Sequence, residues 1–170
     1  MIMRLFRPKT KQETKRDWHT REAPRDGGSF FAAYENFQFI SPDEKHNVSA
    51  QYFDEPPHGD SYHIAKVDGR RLPGYVWGGS FAWSTDSKYF CCSWMPEKSD
   101  NRGVRVFARH TIVIDVNELK YFLMPEYFAN FQIQWPQIVE IKLVGLDPKN
   151  FKKLVLRSFC FSGAEEWISF

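Results

Sequence analysis

"SFAWSTDSKYFCCSW", residues 80–94, places two runs of aromatic and small residues on either side of a polar break from Ser84 to Lys88. Short apolar runs bounded by Ser and Asp read as paired strands joined by a tight turn, whose amides the Ser and Asp side chains can tie. The pattern recurs 43 residues upstream. There "FISPDEKHNVSAQY" (39–52) aligns with "AWSTDSKYFCCSWM" (82–95), and Ser41 coincides with Ser84, Asp43 with Asp86 and Lys45 with Lys88. Two copies of one hairpin unit are therefore expected.

Outward from this pair, the chain from residue 29 onward keeps the same rhythm. Strands are expected at 34–40, 46–53, 61–67, 75–83, 88–95, 103–109, 111–116, 120–124, 131–135, 138–144 and 153–161. Between them stand turn-forming stretches such as "DEPPHGD", "VDGRRLPG" and "LDPKN". Short helices have room only near 117–121, 125–131 and 163–167, because no segment carries a long stripe of 3.6-residue period. The fold class is mainly β, as antiparallel meanders packed as a sandwich or an open curved sheet. Residues 29–170 form one domain, and residues 1–28 a basic arm, flexible or loosely docked, whose first residues "IMRLF" could add an edge strand.

The two Ser-x-Asp-x-Lys turns and their flanking strands, residues 37 to 124, resemble the blade repeat of β-propellers, especially repeats written around a Ser-Pro-Asp-Gly core. The resemblance implies blade-like hairpins. It departs at the position after Asp, where the repeat has Gly and this chain has Glu44 and Ser87, and no clear third copy follows. A closed propeller needs at least four blades of about 40 residues, which 142 residues do not supply, so a closed propeller is not expected.

Composition narrows the function classes. Residues 1–28 carry eight basic and four acidic side chains, the remainder fifteen and seventeen. A mildly acidic globular part argues against nucleic acid, whose phosphates ask for a basic stripe on the folded face. Cys91, Cys92 and Cys160 have the wrong parity for a disulfide scaffold, which favours a reducing cytoplasm. No stretch approaches the ~20 apolar residues of a membrane span.

Few residues invite chemistry. Adjacent strand residues Cys91 and Cys92 point to opposite faces and read as packing thiols, buried or half-buried with Cys160. Ser80 in "GGSF" lacks the G-x-S-x-G context of a nucleophile turn, so Gly78-Gly79 reads as a bulge. Asp54, Glu55, His58, Asp60 and His63 match no metal-ligand spacing, and neither a metal nor a cofactor is expected.

What remains is a non-enzymatic binder of another protein. Asp54, Glu55, His58 and Asp60 form an acidic loop suited to a basic partner surface, with Trp77 and Trp94 as aromatic anchors. By general character rather than by residues, the chain is similar to bacterial immunity proteins, which implies a toxin domain as partner and occlusion of that toxin's active site as mechanism. The rival reading is a nucleic-acid-binding protein or an enzyme whose site is assembled from dispersed residues.

Overall fold

A computed structural model describes residues 17–31, 34–56, 60–96, 109–144 and 152–170. Its strands are β1 (Trp18–Glu22), β2 (Phe30–Phe31), β3 (Asn36–Ile40), β4 (Asn47–Asp54), β5 (Tyr62–Val67), β6 (Arg70–Arg71) and β7 (Tyr75–Trp83). Then follow β8 (Tyr89–Met95), β9 (His110–Asp115), β10 (Lys120–Leu123), β11 (Phe131–Gln134), β12 (Gln137–Val144), β13 (Lys152–Cys160) and β14 (Ile168–Ser169). An 11-stranded sheet runs β1-β3-β4-β5-β7-β8-β9-β10-β14, with β2 and β6 as side branches, and β11-β12-β13 form a second sheet. The large sheet ends in β1 and β14 and is not closed. It is mixed, because β1 pairs parallel with β3.

The repeated turns have one geometry. Ser41 Oγ donates to Asp43 Oδ1 at 2.7 Å and accepts His46 N at 3.0 Å; Ser84 Oγ donates to Asp86 Oδ1 at 2.5 Å and accepts Tyr89 N at 2.9 Å. Strand register repeats with the same 43-residue offset, Phe39 facing Val48 and Ala82 facing Cys91. Glu44 and Ser87, which stand where glycine was expected, both adopt a left-handed φ of 62°. A non-glycine residue there carries a conformational cost, which the Ser and Asp ties around it offset. The two turns also touch: Asp43 N donates to Ser87 Oγ at 2.9 Å.

That contact reflects a sheet curled onto itself. Phe39 of β3 stacks on Phe81 of β7 at 4.5 Å, and with Val48, Val67, Trp83, Phe90, Cys92, Ile112 and Ile114 fills the space enclosed by the curl. On the other face of β7–β9, Ala82, Tyr89, Cys91 and Val113 pack against Phe131, Ile133 and Ile138 of the small sheet. Strands β7 to β9 are thus covered on both sides, and adjacent Cys91 and Cys92 serve different cores.

Two expectations change, and that for the arm is narrowed. The short helices do not form among the described residues; at 117–121, Leu119 turns left-handed at φ 51° and Lys120 and Tyr121 pair with β9. Residues 18–22 of the arm form β1, and Gly27 O accepts Ile133 N at 3.0 Å, so the end of the arm is docked; "IMRLF" lies outside the described residues, as do 103–108. Cys160 is exposed rather than buried, because it lies on β13, along which nearly every side chain is exposed.

Candidate functional site

The acidic loop is partly brought together. Asp54 Oδ2 accepts the Tyr62 hydroxyl at 3.2 Å, and its Oδ1 accepts Glu55 N at 3.0 Å. Asp60 pairs with Arg109, whose guanidinium carbon stands 4.3 Å from the centre of the Trp77 ring. The loop's charge is therefore partly answered within the chain, by an arginine 49 positions away in sequence. His58 lies outside the described residues.

The two tryptophans do not fit an anchoring role where they stand. Trp77 is 2% exposed, packed with Tyr62 and Met95; Trp94 is 6% exposed and donates Nε1–H to Pro73 O at 2.7 Å. Alternation along a strand puts half its side chains outside only when one face is solvated. Here β7 and β8 are covered on both faces.

A cleft of about 530 Å³ opens between the C-terminal segment and the turns after β7 and β9, lined by Lys88, Asp115, Trp135, Phe161, Glu165 and Trp167 among others. Its aromatic rings are mutually occupied, with Trp135 between Tyr89 at 3.6 Å and Phe161 at 4.6 Å. Its charges are occupied as well. Lys88 lies 3.6 Å from Asp115, and the amides of Ser162 and Gly163 with the Ser162 hydroxyl hold the Glu165 carboxyl below its ordinary range. Burial pushes the Cys91 and Cys92 thiols well up, which keeps them protonated and poor nucleophiles. Ser80 Oγ donates to Ala129 O at 2.7 Å, and the register shift between Val76 and Phe81 is the bulge expected at Gly78-Gly79. No three His, Cys, Asp or Glu side chains converge on a metal position among the described residues.

The surface that is not answered internally is the hairpin β12–β13. Of ten large apolar side chains left exposed among the described residues, five are Leu143, Val144, Leu154, Val155 and Leu156, each between 46% and 57% exposed. Concentration of exposed apolar side chains in one element marks an interface more than scattered ones do. The hairpin root is fixed: Arg157 Nε donates to buried Glu140 at 2.6 Å, and the guanidinium also reaches the Glu126 carboxylate and Tyr127 O. The Glu140 carboxylate foremost, with Glu126, raises the Arg157 pKa above its ordinary value. Beyond the root, Ile141 faces Val155, and then Lys142 faces Leu154, Leu143 faces Lys153 and Val144 faces Lys152, so each of the three outer pairs joins one lysine to one apolar side chain. The run "KKLVLR" carries an apolar strand signal in the sequence, with nothing local to mark it as exposed.

No family model, curated protein or solved structure matches the chain. No helix among the described residues is long and apolar enough to cross a membrane.

Proposed function

We propose that this chain is a non-enzymatic protein-binding module that engages its partner through the β12–β13 hairpin. The observation that supports it is the concentration of Leu143, Val144, Leu154, Val155 and Leu156, spread over both faces of one ribbon whose root is clamped by Arg157. A rigidly rooted apolar surface binds with little ordering cost. The biological form we propose is that of an immunity protein, whose partner is a toxin domain and whose binding occludes that toxin's active site. The acidic loop at Asp54, Glu55 and Asp60 is the secondary contact, steering association through its charge.

The test is affinity purification of the tagged chain from its native host beside the variant L154E/L156E, with partners identified by mass and the partner's activity assayed with and without the chain. A stoichiometric protein that the wild type retains and inhibits, and that the variant loses, supports the reading. Recovery of the wild-type chain alone, or equal retention by both, refutes docking through the hairpin.

A further inference from the structure

The outer edge of β13 adds a second observation to the exposed apolar residues. Among the described residues β13 pairs only with β12, and no described strand occupies its other edge. Its residues 152–155 are regular and exposed, and a register shift opposite Glu140 and Ile141 leaves Leu156 out of the pairing, which ends the regular edge there. An edge of this kind is a template for strand addition, in which main-chain bonds give affinity and alternate side chains give selectivity.

Charge decides the occupant. Within the regular edge, antiparallel pairing with a second copy over 152–155 sets Lys152 opposite Val155 and Lys153 opposite Leu154, which answers neither lysine; parallel pairing in register sets lysine against lysine. Like charges directly opposite destabilise a strand pair. Lysines on an edge and a bulge beside it are devices that bar self-association. The same lysines admit an acidic strand. Lys142 and Lys152 have no ion-pair partner among the described residues, and Lys153 has only an exposed contact with Asp26 at 3.0 Å. Burial in a bilayer fits less well, because a lysine occupies every described cross-strand pair from Lys142 to the distal Val144–Lys152.

We propose that the 152–155 edge of β13 takes up an extended segment of a partner protein whose side chains alternate between acidic and apolar. This rests on the protein-binding reading above and names the chemistry of the partner.

The probe is a labelled ten-residue peptide of alternating Glu and Val, with an alternating Lys and Val peptide as its counterpart. Binding to the full chain is read by anisotropy, and amide hydrogen exchange is read across β13. The expected result is preference for the Glu peptide by about tenfold or more, slowed exchange at residues 152–155, and reversal of preference in K142E/K152E. Wild-type binding and exchange carry the test even if that variant does not fold. Equal binding of both peptides, unchanged exchange in β13, concentration-dependent dimerisation through β13, or preferential binding to vesicles of phosphatidylserine would each overturn the proposal. If a host protein is retained through the hairpin while the Glu peptide is not bound, strand addition fails and the protein-binding reading stands.

Discussion

Replacing Ser41 by Ala removes one hydroxyl that performs two tasks in the first repeated turn. It donates to Asp43 Oδ1, and it accepts the amide of half-buried His46. Losing the second bond costs about 0.5–1.5 kcal/mol, since water can reach that amide in part. The first bond is the main reason the Asp43 pKa is lowered from 3.8 to about 2. At ~1.4 kcal/mol per pH unit, and with the Asp43 side chain 36% exposed, solvent screening reduces the linked stabilisation to ~1 kcal/mol. The folded-state pKa is depressed, so this contribution is fully present above pH ~4 and is lost as pH falls toward ~2. Urea unfolding of wild type and S41A should therefore differ by about 2 kcal/mol at pH 6 and by about half that near pH 2. Other carboxylates titrate in both proteins and cancel in the difference. A gap that stays constant from pH 6 to pH 2 would refute the assignment of the Asp43 depression to Ser41.

Ser84→Ala should cost more than Ser41→Ala, about 2–3 kcal/mol, because the amide it abandons belongs to buried Tyr89; equal urea midpoints for the two variants would contradict this. Gly74→Ala should lower stability by at least ~2 kcal/mol, since Gly74 has φ +71° and an added Cβ would lie 2.4 Å from Met95 O, whereas Gly69→Ala, with open space around it, should cost ~1 kcal/mol; chemical denaturation compares the two. A thiol reagent should modify Cys160 rapidly in the native protein and reach Cys91 and Cys92 only on unfolding, and three fast thiols would show that the double-sided packing of β8 is wrong. Arg157→Ala should lower the thermal midpoint more than Lys153→Ala, because it strands buried Glu140 whereas the Lys153–Asp26 pair is exposed at both ends.

The strands of this protein were legible because their signal is local. Apolar runs ending in Ser, Asp, Gly or Pro located ten strands within a few residues of their observed limits, and the 43-residue offset carried through to strand register. The strands that went unnoticed are β1, β2, β6 and β14. Except for β1 they have two residues each, and β1 has all five of its residues exposed, so none carries an apolar pattern; they exist because a neighbouring edge offers backbone partners. The short helix expected at 117–121 fails for a different reason, because Leu119 turns left-handed and Lys120 and Tyr121 are drawn into pairing with β9.

Sites were less legible than strands. Trp77 and Trp94 read as anchors because period-two alternation exposes half of a strand, but Trp94 lies in the core of the curled sheet and Trp77 is covered by Tyr62, Met95 and Arg109. Arg109 meets Asp60 across 49 positions of sequence, a distance at which no spacing rule operates. "KKLVLR" could be read as an apolar strand and not as an exposed one, since exposure depends on where β13 stands in its sheet. The sequence by itself determined the β class, the duplicated turns and the absence of a closed ring of blades, because turn chemistry and apolar runs act over a few residues. Only the tertiary structure decided which faces are covered and which edge is left open, because burial is set by the packing of segments far apart in the chain.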